Sequence, residues 1–156
     1  MENKKSRING INLIGVLVDQ YDGKDCSGRM VHQYSEEEFP FRTLMEMMGK
    51  MEHQYDDWDY PEAALETRTF IKHRKENSTQ GKWVVRTRLP QIAMNQTARD
   101  ISGARGKFAT FQVLVRMRQN ATWQGSVYWV DQDKIIDFRS ALEFARFIDS
   151  ALYEMV

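Results

Sequence analysis

The stretch FATFQVLVRMR, residues 108–118, alternates apolar and polar side chains over most of its length. A period of two residues is typical of a strand that has one face on a core and the other face in water. One side carries Phe111, Val113, Val115 and Met117, and the other carries Gln112, Leu114, Arg116 and Arg118. The alternation therefore predicts a strand on which Arg116 and Arg118 share the polar face.

The residues that follow this strand predict two more strands and a helix. Residues 119–124 are predicted to turn the chain, followed by a strand at Ser126–Val130, a turn at 131–134 and a strand at Ile135–Phe138. Ser140 with Glu143 forms a capping box at the start of a helix. The apolar face of that helix comprises Ala141, Phe144, Ala145, Ile148, Ala151, Leu152 and Met155. The segment 108–156 is therefore predicted to be a three-stranded meander covered by an amphipathic helix.

The upstream part of the chain predicts further strands and one more helix. Residues 11–18 (INLIGVLV) and Met30–Tyr34 form a hairpin within residues 1–38. Pro40 suits the first turn of a helix, and an apolar stripe rich in methionine follows it until Pro61 stops the helix. Trp83–Arg88 is assigned to a strand that Leu89-Pro90 ends. Residues 75–81 are assigned to an exposed loop, and residues 91–107 to a second loop region that can include a short helical turn.

These elements predict one α+β domain over residues 1–156, and this length is typical of a single domain. Its antiparallel sheet is covered by the C-terminal helix and by the Met-rich helix. The predicted parts are an N-terminal hairpin at 1–38, an acidic Met-rich helix at 39–60, a basic loop-rich segment at 71–107, and the meander with its helix at 108–156.

Charge is sorted along a chain whose formal net charge is zero. Residues 36–66 contain ten acidic and two basic residues, whereas residues 67–118 contain twelve Lys or Arg and two acidic residues. This asymmetry predicts either two faces of opposite charge or a complementary contact, within one molecule or between two copies of a homodimer.

No pattern for catalysis or metal binding stands out. Cys26 with His32 is a weak candidate for a nucleophile and its base. His53 with Asp56 and Asp57 matches helical spacing for a metal, but a solvated acidic helix end explains the same residues. The loop 103–107 (GARGK) lacks the spacing and the Ser or Thr of a phosphate loop. The sequence therefore predicts a protein that is not an enzyme and that has neither a cofactor nor a metal.

The compartment is predicted from one cysteine and from the lack of a long apolar run. A single Cys26 permits no internal disulfide, which suits a reducing environment. The apolar run at 11–18 is too short to span a membrane and lacks the layout of a secretion signal. We expect a cytoplasmic protein that does not insert into a membrane.

The stretch RQNATWQG, residues 118–125, is the candidate binding loop. Its Asn120-x-Thr122-x-x-Gly125 resembles the Asn/Asp-x-Ser-x-x-Gly element of the PilZ receptors for cyclic di-GMP. The Arg-x-x-x-Arg of those receptors is missing here. The candidate binding residues are Arg116, Arg118, Asn120, Thr122, Trp123, Gln124 and Tyr128. The alternative is a hairpin turn whose tryptophan packs back on the sheet.

A second resemblance covers about half of the chain. The combination of RQNATWQGSVYW with FRSALEFARFIDSAL (138–152) resembles a family of short uncharacterised bacterial proteins that end in such a hairpin and helix. The segment Phe41–Phe70 is similar to an upstream element of that family. This resemblance implies no activity, cofactor or catalytic residue.

Three functions follow as expectations. The first is a non-enzymatic protein-binding regulator or inhibitor, because sorted charge and abundant Met, Trp and Tyr suit recognition surfaces. By analogy it extends to an inhibitor carried by a mobile element and directed at a host defence system. The second is a nucleic-acid-binding module that uses the basic segment 67–118, with Arg86, Arg88, Arg105 and Lys107 as its basic patch. The third is a small-nucleotide receptor for a cyclic dinucleotide.

Overall fold

The computed structural model describes residues 8–62, 88–119 and 122–156, and the side chain of Arg88 is not described. The described chain forms six strands and three helices, which confirms the α+β class. The strands are β1 (Ile14–Tyr21), β2 (Cys26–His32), β3 (Phe39–Phe41), β4 (Ala109–Met117), β5 (Gln124–Trp129) and β6 (Lys134–Phe138). The helices are α1 (Leu44–Trp58), α2 (Arg88–Asn95) and α3 (Ala141–Glu154).

The six strands form one sheet in the order β3-β2-β1-β4-β5-β6, and every neighbouring pair is antiparallel. The β1–β4 pair joins the N-terminal hairpin to the C-terminal meander, with Ile14 opposite Val113. This pairing places the first and last parts of the chain in a single sheet.

The predicted meander and its helix are confirmed. β4, β5 and β6 pair in succession, and α3 begins after Ser140, whose hydroxyl accepts the amide hydrogen of Glu143 at 3.0 Å. Four residues of the predicted apolar face are buried: Phe144, Ile148, Ala151 and Leu152. Local alternation and a cap were sufficient to identify these elements.

The N-terminal hairpin is confirmed, but its turn is shorter than predicted. Asp22 closes the turn, since its Oδ1 accepts the amide hydrogens of Lys24 and Asp25 at 2.8 Å. The predicted strands leave residues 19–29 to the turn, but Cys26–Gly28 begins β2.

The prediction that Pro40 starts the acidic helix is wrong. Pro40 is the middle residue of the edge strand β3, a position that tolerates a residue without an amide hydrogen. The helix begins at Leu44, and Thr43 caps it by accepting the amide hydrogen of Glu46 at 3.0 Å. It ends at Trp58, followed by Asp59 in the left-handed region with φ of 48°.

The assignment of Arg88 to a strand is also wrong, because Arg88 begins helix α2. Pro90 lies in the first turn, where its missing amide hydrogen removes no hydrogen bond of the helix. Residues 83–87 of the predicted strand lie outside the described residues.

The sheet has two unlike faces. The helix-covered face packs against α1 and α3 and belongs to a cluster of twenty-two buried residues, including Val16, Phe111 and Val113. The loop-covered face belongs to a cluster of seven, including Leu17, Leu114 and Tyr128, with Ile8 and Ile101 packed over it. None of the helices in the described ranges has the length and apolar character required to span a bilayer.

Candidate functional site

A β-bulge near the end of β4 decides where the two candidate arginines lie. Pairing with β5 is regular as far as Val115 opposite Gly125, but Met117 is next opposite Gln124, so Arg116 is the extra residue. A bulge of one residue reverses the alternation of side chains beyond it. The prediction that Arg116 and Arg118 share one face is therefore wrong: Arg116 is exposed on the loop-covered face, and Arg118 is buried on the helix-covered face.

Gly125, the last residue of RQNATWQG, is required by the close approach of the backbones at this bulge. A Cβ atom at position 125 would lie 2.0 Å from the carbonyl oxygen of Leu114 in the paired strand. The final glycine of the candidate binding loop thus has a role in the fold.

Arg118 joins the end of β4 to the C-terminal part of α1. Its Nη1 donates to Asp56 Oδ1 at 2.7 Å and to Glu52 Oε1 at 3.2 Å. Its Nε donates to the carbonyl oxygen of Pro61 at 2.6 Å, and Nη2 donates to that of Tyr55 at 3.3 Å. A cation near the last carbonyls of a helix is also favoured by the helix dipole. At this residue the basic segment meets the acidic helix within one molecule.

Trp123 belongs to the core that links α1 to α3. Its ring is T-shaped against Tyr55, with centroids 5.6 Å apart, and tilted against Phe144 at the same distance. Its Nε1 donates to Glu52 Oε2 at 2.5 Å, so Glu52 bridges the tryptophan and Arg118. With 4% of its surface exposed, Trp123 packs on the sheet, as the alternative hairpin hypothesis expected.

The hydroxyl of Tyr55 is buried beside Arg118 and Trp123. It has no hydrogen-bond partner within the described chain. Burial raises the pKa of Tyr55, with a smaller raising effect from Glu52 and an opposing effect from Arg118. The phenol is therefore neutral and takes part in packing.

The other candidate residues of the loop lie in different surroundings. Thr122 Oγ1 accepts the amide hydrogen of Ala141 at 3.0 Å, which fixes the hairpin to the start of α3. Gln124 is half-buried at the start of β5. Tyr128 faces the loop-covered side and donates to Asp133 Oδ1 at 2.8 Å. Asn120 lies outside the described residues. The structure thus unites Arg118 and Trp123 through Glu52 but separates them from Arg116 and Tyr128.

Arg116 belongs to a polar array on the loop-covered face. Its Nη1 donates to Ser126 Oγ at 2.5 Å, and Ser126 Oγ donates to Asp137 Oδ1 at 2.5 Å. Ser126 is directly opposite Asp137 in the β5–β6 pair. The array links side chains of three adjacent strands.

Two members of the predicted basic patch, Arg105 and Lys107, have described side chains, and both lie in the loop that precedes β4. Arg105 Nη1 donates to the carbonyl oxygens of Ser102 and Ala104 at 2.6 and 2.9 Å, in the loop that precedes β4. Lys107 lies in the same loop, whereas Arg116 lies near the other end of the nine-residue strand β4, roughly 30 Å away. Arg86 and the side chain of Arg88 are outside the described residues.

Cys26 and His32 are too far apart to act as a pair. They lie at opposite ends of β2, roughly 20 Å apart for six residues of extended chain. Burial, followed by the nearby Asp25 charge, raises the pKa of the Cys26 thiol to about 12, so it is not a thiolate near neutral pH. Within the described ranges no group of three or more His, Cys, Asp and Glu residues is placed to hold a metal ion.

The outer edge of β6 is a feature that sequence analysis did not identify. In the described sheet β6 pairs with β5 alone, and residues 134–137 are exposed, including Ile135 at 37% and Ile136 at 47%. The strand itself was predicted from its alternation, but its place at the edge depends on the order of all six strands.

Comparison of the chain with protein families, with curated proteins and with solved structures finds no match. The resemblance to a family of short bacterial proteins stays a prediction.

Proposed function

We propose that this protein is a non-enzymatic binding protein that acts through protein contacts, and that the outer edge of β6 is its contact surface. The observation that carries the proposal is the edge strand Lys134–Phe138, of which residues 134–137 are exposed and include two adjacent isoleucines.

An edge strand has a row of backbone amide and carbonyl groups that another extended chain can pair with. The opposite edge of the sheet is less suited to this, because β3 has three residues and Pro40 has no amide hydrogen. β6 contains no proline or glycine. Its outer backbone is therefore the better site for adding a strand.

The side chains of β6 indicate what kind of segment would fit. Ile136 is directly opposite Val127 and so faces the helix-covered side, whereas Ile135 is opposite Tyr128 and faces the loop-covered side. An added strand would therefore need one apolar residue for each face. Lys134 and Asp137 flank the two isoleucines, and their opposite charges favour a partner segment with charges of both signs.

The test is capture of partners from bacterial lysate, after nuclease treatment, by tagged wild-type protein and by Ile136→Lys. We expect a protein that wild type captures to be lost with Ile136→Lys, because the new charge would lie in the contact. Leu142→Lys, at a helix position that is 62% exposed, is the matched control and should keep the partner.

Hydrogen exchange of the complex supplies the second measurement. The amides of residues 134–138 should become protected when the partner binds, since an added strand hydrogen-bonds to them. Capture that Ile136→Lys leaves intact, with no added protection in β6, would refute the proposed contact.

The remaining functional expectations stay predictions. No contact in the described chain supports inhibition of a host defence system in particular. Arg118 is buried and so does not contribute to a nucleic-acid-binding surface. Arg118 and Trp123 are both buried and so do not contribute to a cyclic-dinucleotide site.

A further inference from the structure

A cavity of about 540 Å³ lies between α1 and the strands β1, β2 and β3. Its apolar wall is formed by Ile14, Met30 and Phe39, one from each strand, with Pro40 at the margin. Volumes of roughly 300 to 1,000 Å³ are typical of small-molecule sites that are mainly apolar with a few polar groups. The size and lining of this cavity match that description.

One face of α1 borders the cavity. Its lining residues are related by the spacings of three and four that place side chains on one face of a helix: Glu46, Gly49, Lys50, His53 and Gln54. The charges on this face are already paired: Lys50 Nζ lies 3.4 Å from Glu46 Oε1 and also donates to the carbonyl oxygen of Pro40. The rim therefore does not require a charged ligand.

Gly49 leaves the cavity open at a cost to the helix. Glycine in a helix interior is less stable than alanine by about 1 kcal/mol. A Cβ atom at position 49 would meet no heavy atom within 4 Å, so packing in the described chain does not require glycine here. The missing side chain instead keeps space beside the apolar wall.

His32 supplies a buried polar group to the cavity. The imidazole is 7% exposed, is stacked on Phe39 with centroids 5.4 Å apart, and packs edge-on against Trp58 at 5.0 Å. Its Nδ1 accepts the amide hydrogen of Tyr34 at 3.1 Å, so in the neutral ring Nε2 carries the hydrogen. Nε2 makes no hydrogen bond to a described residue and lies on a ring that lines the cavity.

We propose that this cavity is a binding site for a compact, neutral, apolar molecule that carries one hydrogen-bond acceptor, and that His32 Nε2 donates to this acceptor. The site is separate from the β6 edge, so it does not depend on the proposed protein contact. Burial, with a smaller effect from Arg99, lowers the pKa of His32 to about 4, which keeps the ring neutral at physiological pH.

The first experiment is a fluorescence titration with the neutral naphthyl ketone dye prodan, whose emission shifts to the blue in apolar surroundings. Wild type should bind it saturably with one-to-one stoichiometry. Gly49→Trp, which places an indole in the cavity, should weaken binding by about tenfold or more, equivalent to about 1.4 kcal/mol. Gly49→Ala is the matched control and should bind within about twofold of wild type, because its single methyl group occupies little of the cavity.

The second experiment tests the hydrogen bond and does not depend on whether Gly49→Trp folds. Acetylnaphthalene and ethylnaphthalene have similar shapes, but only the first has an acceptor, and each is titrated as a competitor of prodan. Wild type should prefer the ketone by about fivefold or more, the scale of one hydrogen bond. His32→Asn keeps an acceptor for the Tyr34 amide but loses the Nε2 donor, so this preference should disappear.

Non-saturable binding of prodan to wild type, or equal affinity of Gly49→Trp and Gly49→Ala, would overturn the site. Equal affinity of wild type for the ketone and the hydrocarbon would overturn the role of His32.

Discussion

The two faces of the sheet place similar residues in different environments. On the helix-covered face Arg118 and Trp123 are buried and bonded to α1, and they hold the meander against both long helices. On the loop-covered face Arg116 is exposed and Tyr128 is covered by loop residues and β-strand side chains. The two arginines are two residues apart in sequence, yet the bulge directs them to opposite sides. Residue type alone therefore does not show which of the two arginines is buried.

The largest loss of stability should follow substitution of Trp123, on the helix-covered face. Trp123→Ala would remove an almost fully buried ring and should lower the free energy of unfolding by about 3 to 5 kcal/mol. Trp123→Phe keeps a ring but removes the hydrogen bond to Glu52, so a loss of about 1 to 2 kcal/mol is expected. Urea denaturation measures both, and unchanged stability of Trp123→Ala would place the indole outside the core.

Substitutions of the two arginines should differ in their effect on the free energy of unfolding. Arg118→Met should cost about 3 kcal/mol, because it removes a buried cation that bonds Asp56 and donates to the carbonyl oxygen of Pro61. Arg116→Met should change stability by about 1 kcal/mol or less, since its side chain is exposed and Ser126 keeps its hydrogen bond to Asp137. Equal effects of the two changes would show that the bulge does not separate them.

The free energy of unfolding should depend on pH because His32 is buried on the helix-covered face. Its pKa is about 4 in the folded protein and 6.5 for an ordinary histidine, so the unfolded chain takes up a proton first as the pH falls. Stability is then full at neutral pH and above and should decline by on the order of 2 to 3 kcal/mol between pH 6.5 and 4. Thermal unfolding at several pH values should show this decline in wild type and a smaller one in His32→Asn.

The smallest expected effect is a gain in stability at Tyr55. Its buried hydroxyl lacks a hydrogen-bond partner among the described residues, so Tyr55→Phe removes a desolvated polar group while keeping the ring. We expect stability to rise by up to about 1 kcal/mol. A loss of similar size in urea denaturation would mean that the hydroxyl has a partner in solution.

The sequence predicts correctly those elements whose signal is confined to a few neighbouring residues. The alternation in 111–115 and the Ser140 cap identify β4 and α3 because both effects act within one element. The prediction at Pro40 is wrong, because a proline early in a helix and a proline in an edge strand have the same local pattern, and only the pairing with Arg29 in β2 separates them.

The candidate site was predicted less well than the fold. RQNATWQG was correctly recognised as a hairpin connection, and one of its two interpretations, a tryptophan packed on the sheet, describes Trp123. The face of Arg118 was not predictable, since it depends on a bulge opposite β5 and on carboxylates of α1 that are 62 and 66 positions away in sequence. The cavity was not predictable either, because its wall comes from three strands and its rim from a helix.

The sequence by itself determined the α+β class, the meander and the capped helix α3, because periodicity and capping act over short distances along the chain. The tertiary structure alone decided which strand is at the edge, which arginine is buried and where a cavity remains. Those outcomes depend on strand order, on the register at the bulge and on contacts between distant residues. A one-residue change of register moves a side chain from one face of the sheet to the other, and no local pattern around Arg118 reveals it.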